Sequence, residues 1–288
     1  MSAEHLSSPP GTYVVTGGNT GIGKAIALAL ASQRRHVVIV SRDPTRGSAA
    51  VADLRAQSGN PTVECVVGDL SSIHTTQQLA DSLLDQFPDL TVLINNAGVW
   101  MTERVLTADG LELSFMVNHL APFILSRRLL PRLQVNSPAR IVNVSAGMYI
   151  RGRVDLQRTP YGLDFDRLRT YATTKLCQVL CMRVLAEHLP GTGVTVNAIH
   201  PGVIRTQLGD MPGVAGRLLS LIKRRWGTPE QGADAPVWLA TAPEVVATSG
   251  QFFDRRTPVP FAKPAQDRDL ARELWRWSSG FIAAAPHP

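Results

Sequence analysis

Short apolar runs rich in β-branched residues alternate along this chain with stretches long enough to form helices. Such runs are continuously apolar, which is typical of strands covered on both faces. Strands that alternate with helices form parallel sheets with helices on both sides. The sequence therefore predicts an α/β fold with a doubly wound, seven-stranded parallel sheet. The seven predicted strands lie at 12–18, 36–42, 63–70, 90–98, 139–147, 194–202 and 249–254.

The stretches between these runs predict the helices and the domain organisation. Helices are expected at 20–32, at 49–57, up to Phe87, at 113–133 and at 171–189. The chain of 288 residues holds no repeat or convincing linker, so we expect one domain. We predict a disordered tail at 1–10, the α/β domain at 11–260 and a C-terminal extension at 261–288. The segment 269–282 predicts an amphipathic helix in that extension.

Two long loops, at 148–170 and 203–228, are expected to be functional, because long loops in compact domains usually are. The second loop contains GVAGRLLSLI and can be read either as an amphipathic lid over an apolar pocket or as plain packing. Ligands of doubly wound sheets bind beyond the carboxyl ends of the strands, where both loops are expected to lie.

The amino-acid composition restricts the classes of ligand and partner that we expect for this chain. The net charge is 29 − 23 = +6, and the one basic cluster, Lys223-Arg224-Arg225, has no stacking aromatics around it. This pattern favours a solvated basic face or attraction for an anionic cofactor over nucleic-acid binding. Three cysteines without zinc spacing, and no cluster of His, Asp and Glu, predict neither a disulfide framework nor a metal site. No apolar stretch reaches the ~20 residues of a membrane span and no disulfide framework is implied, so we expect a soluble protein of the cytoplasm.

A glycine-rich turn, TGGNTGIG at 16–23, joins the first strand to the first helix. Its glycines allow a tight turn and a close approach of the backbone to a pyrophosphate, which the helix N-terminus then faces with unpaired N–H groups. The alternative is a tight turn without a ligand. The residues of this turn that we predict to bind a cofactor are Gly17, Asn19, Thr20, Gly21, Ile22 and Gly23.

The ends of the second and third strands predict which nicotinamide cofactor is used. Ser41 and Arg42 offer a hydroxyl and a guanidinium, which suit a 2′-phosphate, whereas Asp43 leads into a turn. This favours NADP(H) over NAD(H). Asp69, followed by Leu70, ends the third strand and could accept from the adenine amino group. The alternative for Asp69 is a helix N-cap or a turn residue.

Five motifs in order carry a family resemblance. They are TGGNTGIG at 16–23, NNAG at 95–98, NHL at 118–120, YATTK at 171–175 and HPG at 200–202. With these motifs the chain resembles the short-chain dehydrogenase/reductase family from about residue 11 to 254. GNTGIGK, DGLELSFMVNHL and GVTVNAIHPGVIRT are similar to its retinol-dehydrogenase-like branch. The resemblance implies a Rossmann-type fold, and that branch commonly acts on lipophilic alcohols and carbonyls with NADP(H).

The resemblance implies roles for residues in these motifs. Tyr171 would be the general acid or base that exchanges a proton with the substrate oxygen. Lys175, one helical turn on, would favour the phenolate and bond the nicotinamide ribose. Asn118 would hold a water in a proton relay behind Lys175. The other residues that the resemblance places at the cofactor are Asn95, Ala97, Gly98, Pro201, Gly202, Val203 and Thr206, the last reaching the nicotinamide carboxamide.

The stretch NVSAGMY at 143–149 departs from the family pattern. In relatives this strand typically ends Asn-x-Ser-Ser, and the second serine is catalytic. Aligned on Asn143, the first serine is Ser145 and the second position is Ala146, 171 − 146 = 25 residues before Tyr171. Adjacent strand side chains point to opposite faces, so Ser145 could substitute only if the strand end twisted. Tyr149 or a substrate hydroxyl could also supply the missing bond, and the active site is therefore expected to be atypical.

These observations predict an NADP(H)-dependent oxidoreductase that interconverts a carbonyl and an alcohol on a small, lipophilic or secondary-metabolite substrate. Two alternatives stay open: a non-redox enzyme on the same fold, such as an isomerase, cyclase or dehydratase, and a non-catalytic NADP(H)-binding protein. The resemblance also implies a homodimer or homotetramer, often formed through the helices near 113–133 and 171–189.

Overall fold

One eight-stranded sheet forms the centre of the protein in a computed structural model that describes residues 9–204 and 227–283. The strand order is β3-β2-β1-β4-β5-β6-β7-β8. Strands β1 to β7 pair in parallel, as the alternation of apolar runs and helices predicts. The strands are β1 Thr12–Thr16, β2 His36–Ser41, β3 Val63–Val67, β4 Leu90–Asn95, β5 Ala139–Val144, β6 Val194–His200, β7 Phe252–Asp254 and β8 Thr257–Val259.

The eighth strand corrects the predicted count of seven parallel strands. β7 and β8 form an antiparallel hairpin at the sheet edge, with Phe253 opposite Pro258. The turn between them contains Arg255, whose φ of +53° lies in the left-handed region that a tight hairpin turn requires. Arginine and proline are weak signals for such a hairpin, and the sequence therefore does not reveal it.

Eight α-helices connect or flank these strands in the described part of the chain. They are α1 Gly21–Ser32, α2 Pro44–Ser58, α3 Ile73–Gln86, α4 Leu113–Phe115, α5 Ala121–Val135, α6 Arg167–Glu187, α7 Pro229–Thr241 and α8 Arg268–Ala283. The helix expected at 113–133 is interrupted, because a π-helical turn at Met116–Leu120 joins α4 to α5. Helix α2 begins earlier than predicted because the Asp43 carboxylate accepts from the Arg46 N–H at 3.0 Å and caps it.

The helices form two layers, one on each face of the sheet. Helices α3, α5, α6 and α8 pack on one face through one apolar cluster, and α1, α2 and α7 pack on the other face through a second. The chain winds in opposite directions from neighbouring strands β1 and β4, so their carboxyl ends meet at the switch point of the topology. Ligands of such sheets bind at this point.

Helix α8 lies across both α5 and α6. Trp275 of α8 packs edge-on against Phe123 of α5, with ring centroids 4.9 Å apart. The Ser278 hydroxyl lies 3.1 Å from Nε2 of His119, which is buried in the π turn. The C-terminal helix thus packs on α6 and contacts α5, the two long helices through which the resemblance implies oligomers.

Several sequence predictions fall wholly or largely outside the described residues. Thr206, the basic cluster Lys223-Arg224-Arg225 and most of the loop at 203–228 lie there, as does most of the predicted tail at 1–10. Pro9 is described, and its carbonyl accepts a hydrogen bond from the Tyr13 hydroxyl at 2.6 Å. Within the described ranges, no helix combines the length and the apolar character needed to cross a bilayer.

Candidate cofactor and active site

The glycine turn between β1 and α1 is shaped for an anion. Gly17 and Gly21 adopt φ of +66° and +55°, and a Cβ atom on Gly23 would lie 2.3 Å from the Gly17 carbonyl oxygen. Thr20, which precedes α1, makes no side-chain cap, so no side chain caps the first N–H groups of the helix. Asn19, Gly21 and Ile22 are half-buried around this helix end, and Thr20 is exposed. A pyrophosphate fits a helix N-terminus of this kind.

Thr16 joins the glycine turn to the NNAG motif at the switch point. Its hydroxyl oxygen accepts from the N–H groups of Asn96 and Ala97, both at 3.0 Å. Asn95 faces the interior, where its amide donates to Asn143 at 2.9 Å and to Ser126 at 3.1 Å. The hydrogen bonds of Asn95 thus support the pairing of β4 with β5. Ala97 and Gly98 are half-buried and follow the carboxyl end of β4.

Arg42 and Asp69 follow β2 and β3, the two strands that lie beyond β1 on one side of the switch point. Arg42 is exposed and makes no hydrogen bond or ion pair within residues 9–204 and 227–283, so its guanidinium is available to a phosphate. The buried Ser41 hydroxyl donates to the Asp43 carbonyl at 2.9 Å. The half-buried Asp69 carboxylate accepts from the N–H and the hydroxyl of Ser71, at 3.0 and 2.7 Å, which is the turn role. Leu70 beside it is buried.

Helix α6 carries Tyr171 and Lys175 into the interior at the end of β5. The Lys175 ammonium donates to the Val144 carbonyl at 3.0 Å and lies 5.9 Å from the centroid of the Tyr171 ring. Burial raises the pKa of Tyr171 to about 12 and lowers the pKa of Lys175 to about 8. Lysine therefore keeps its charge near neutrality while it lies against the phenol. A Cβ atom on Gly98 would lie 3.7 Å from this ammonium, which shows how closely the NNAG motif approaches the pair.

Asn118 in the π turn bridges two parts of the site. Its Oδ1 accepts from the Val99 N–H at 2.7 Å, and its Nδ2 donates to the Val99 carbonyl at 2.8 Å and to the Thr174 hydroxyl at 3.1 Å. The side-chain amide of Asn118 thus clamps the chain after NNAG to α6. The amide oxygen of Asn118 has a second lone pair, and its role in holding a relay water stays a prediction.

The serine position lies at the start of a one-turn helix at Gly147–Arg151. Ser145 is buried, and its hydroxyl makes no hydrogen bond to any described residue. Ala146 is half-buried and offers no donor. The Tyr149 hydroxyl accepts from the Ala262 N–H at 3.0 Å, which directs it away from a substrate role. The catalytic assignment of Ser145 therefore stays a prediction.

The HPG motif ends β6 beside this turn. A Cβ atom on Gly147 would lie 3.3 Å from the His200 ring, so the two strand ends are close. Burial lowers the pKa of His200, although nearby Asp254 opposes the shift. Pro201 is buried, Gly202 has a φ of +94°, and Val203 is exposed at the edge of the described residues.

Trp100 is a site residue that sequence reasoning missed. Its indole ring stacks on the ring of Tyr171, with centroids 4.7 Å apart and planes inclined by 12°. Its Nε1–H donates to the carbonyl of Arg167, the first residue of α6, at 2.9 Å. The position directly after NNAGV was the available signal, because that segment follows the carboxyl end of β4, where ligands of such sheets bind.

Comparison with known proteins gives the family. Residues 12–211 match the profile of the family described as short chain dehydrogenase. The chain belongs to this family, as its motifs predict. Human retinol dehydrogenase 13 is 35% identical over 285 residues, which cover 95% of this chain and 85% of that protein.

Two solved structures extend the likeness to the whole fold. A crystal structure of an uncharacterized protein from Mycobacterium paratuberculosis has a TM-score of 0.77 at 27% identity, and the match covers 98% of this chain and 97% of that one. A Beutenbergia cavernae protein described as an NAD(P)-dependent gluconate 5-dehydrogenase, solved with bound NADP, has a TM-score of 0.68 at 27% identity over 86% of this chain and 96% of its own. Among the described residues, no group of His, Cys, Asp and Glu is arranged to hold a metal ion.

Proposed function

We propose that this chain is an NADP(H)-dependent oxidoreductase that interconverts a carbonyl and an alcohol on a small, lipophilic or secondary-metabolite substrate. The observation that carries the proposal is the meeting of Tyr171 and Lys175 with the NNAG segment, one strand away from the glycine turn. The retinol dehydrogenase relative and the NADP-bound neighbour agree with this chemistry and cofactor.

The protein's own residues would bind and orient the reactants. The turn at 16–23 and the N-terminus of α1 would hold the pyrophosphate, and the free guanidinium of Arg42 would bind the 2′-phosphate. The nicotinamide cofactor, when bound, supplies or accepts the hydride. Pro201, Gly202 and Val203 would border the nicotinamide at the end of β6.

Tyr171 would handle the proton. In reduction its hydroxyl gives a proton to the carbonyl oxygen as that oxygen becomes an alcohol, and in oxidation the phenolate takes the proton back. Burial raises the pKa of Tyr171 to about 12 and so works against the phenolate. The nearby ammonium of Lys175 favours the phenolate and keeps its own proton up to about pH 8.

The absence of a hydroxyl at Ala146 limits this chemistry. One hydrogen-bond donor to a developing oxyanion is worth roughly 10²–10³ in rate. The same observation favours the second candidate, a non-redox enzyme that uses Tyr171 as an acid or base on a retained nucleotide fold. Both candidates predict nucleotide binding, so only turnover separates them.

The test is NADPH consumption with a panel of ketones, aldehydes and quinones. Wild type would be compared with Tyr171→Phe, Ala146→Ser and the control Tyr161→Phe, which removes a phenol outside the Tyr171–Lys175 pair. We expect turnover that Tyr171→Phe abolishes, that Ala146→Ser increases and that Tyr161→Phe leaves intact. A silent wild type that Ala146→Ser activates would contradict a present redox function and favour the non-redox candidate.

A further inference from the structure

Tyr171 lacks the contact that would fix its phenol at the hydroxyl end. Its hydroxyl makes no hydrogen bond within the described residues, and neither Ala146 nor the buried Ser145 provides one. Rotation about the Cα–Cβ bond can therefore displace the hydroxyl, whereas rotation about the Cβ–Cγ bond only turns the ring about an axis that passes through the hydroxyl oxygen. Proton transfer nevertheless needs the hydroxyl at one place, because small misplacements of a reacting group cost large factors in rate.

Trp100 is itself held firmly at three places. Its indole N–H donates to the Arg167 carbonyl at 2.9 Å, and the Arg167 guanidinium lies 5.9 Å from the centroid of the indole. The preceding residue, Val99, is clamped at both its N–H and its carbonyl by the Asn118 amide. The indole thus lies against α6 across Arg167 and Tyr171, which are about one helical turn apart.

The indole ring of Trp100 covers one face of the Tyr171 ring. The two rings are nearly parallel, with an interplanar angle of 12°, and the half-buried indole leaves Tyr171 8% exposed. A flat neighbour at this distance restricts tilting of the phenol while its hydroxyl stays open to a ligand. The contact restrains the ring in the way that a hydrogen bond from the absent serine would restrain the hydroxyl.

We propose that Trp100 is a positioning residue that holds the Tyr171 ring in place of the missing serine hydroxyl. This inference rests on the proposed function, because it concerns the group that would transfer the proton. It predicts that the two positions are coupled: Trp100 matters most when residue 146 has no hydroxyl. A residue with a merely structural role would matter equally in both backgrounds.

The ring contact can be tested without cofactor by NMR. The chain has four tyrosines, so tyrosine-selective ¹³C labelling gives few signals, and Tyr171→Phe assigns the one that matters. Protons over an indole face shift upfield, and we expect this shift for Tyr171 in wild type, partly in Trp100→Phe and not in Trp100→Ala. Trp238→Ala, which removes a half-buried tryptophan from α7 on the opposite face of the sheet, is the control and should leave the Tyr171 signal unchanged.

The catalytic consequence is tested by a double-mutant comparison. We expect Trp100→Ala to lower kcat by about ten- to hundredfold with a smaller change in KM. In the Ala146→Ser background the same change should cost much less, because a serine hydroxyl then orients the phenol. An equal loss in both backgrounds would assign Trp100 a structural role and overturn the proposal.

The two readouts separate this inference from the proposed function. If the protein turns over a substrate but the Tyr171 signal does not change in Trp100→Ala, the inference is overturned. The proposed oxidoreductase function is then retained. An upfield Tyr171 signal in a protein that reduces none of the substrates supports the ring contact and contradicts the proposed function.

Discussion

The ammonium of Lys175 and the carbonyl of Val144 are joined by a hydrogen bond of 3.0 Å. The bond links the middle of α6 to the last residue of β5, two positions before Ala146. It is the one hydrogen bond that the ammonium makes within the described residues, so a charge with three donors is buried with little compensation. The burial of Lys175 beside Tyr171 is therefore expected to lower the stability of the folded protein.

Lys175→Met should make stability less dependent on pH above neutrality. Burial lowers the pKa of Lys175 from 10.5 to about 8, so between these values the unfolded chain binds a proton that the folded protein does not. Wild type should therefore gain about 2 kcal/mol relative to the variant between pH 7 and pH 9.5. Urea denaturation at both pH values measures this difference.

The matched control for this measurement is Lys24→Met. Lys24 is partly exposed and pairs with Asp53 at 2.6 Å, so its removal should shift stability by a similar small amount at both pH values. If Lys175→Met also gave the same difference from wild type at pH 7 and pH 9.5, the buried lysine would not be losing its proton in this range.

Arg42→Gln should reduce the preference for NADPH. The substitution removes the exposed guanidinium after β2 and shortens the side chain, but it keeps a polar group there. A hydrogen bond to a charged group is worth about 1.5–3 kcal/mol, so NADPH affinity should fall about ten- to hundredfold while NADH affinity stays nearly constant. Titration of both cofactors by protein fluorescence measures the ratio. Arg46→Gln, an exposed arginine in the first turn of α2, should leave that ratio unchanged; an equal effect of both variants would argue against a 2′-phosphate site at Arg42.

His119→Gln should make the protein more resistant to acid. Burial lowers the pKa of His119 to about 3, so between pH 6.5 and 3 the unfolded chain binds a proton that the folded protein excludes. Wild-type stability falls as the pH decreases through this window, by about 2–3 kcal/mol more than that of the variant between pH 7 and pH 4.5. Denaturation at both pH values tests this. The exposed His74→Gln should behave like wild type, and a His119→Gln curve parallel to wild type would show that His119 does not control acid stability.

Trp275→Ala should promote self-association. In wild type α8 packs on α6 and contacts α5, so we expect it to hinder a dimer through these helices. Trp275 packs against Phe123 and stacks on His188 with centroids 5.6 Å apart, so its removal loosens α8 and uncovers apolar surface. Light scattering over a concentration series should show association for Trp275→Ala but not for the exposed neighbour Arg276→Ala. A wild-type dimer that cross-links through Phe123-containing peptides would contradict the covered interface.

Much of the fold could be predicted because it depends on local patterns. Continuous apolar strands, helix-length spacers and the glycine turn specify a doubly wound sheet and its switch point. The β7–β8 hairpin could not be predicted, because Arg255 adopts the left-handed conformation of the turn without glycine or asparagine. The π turn at 116–120 could not be predicted, because one extra residue in a helical turn barely disturbs the apolar periodicity.

The candidate site could be predicted only in part, because its contacts join residues far apart in the chain. The motifs identify Tyr171 and Lys175, and the structure brings them together with the NNAG segment. The stack of Trp100 on Tyr171 and the inward-facing amide of Asn95 depend on packing that no spacing reveals. The bonds from the Asn118 amide to Val99 and Thr174 likewise join parts of the chain that the sequence does not show to be close.

The hairpin at the end of the sheet also determines how the molecule meets its neighbours in concentrated solution. β8 is the outermost strand, and Pro258 in its centre has no N–H to offer to an incoming strand. An edge blunted in this way resists the strand-on-strand addition that begins many fibrils. The opposite edge, β3, has a proline-free sequence, VECVV, with Val67 54% exposed. Aggregation by strand addition should therefore begin at the β3 edge of the sheet and not at the β8 edge, where Pro258 lies.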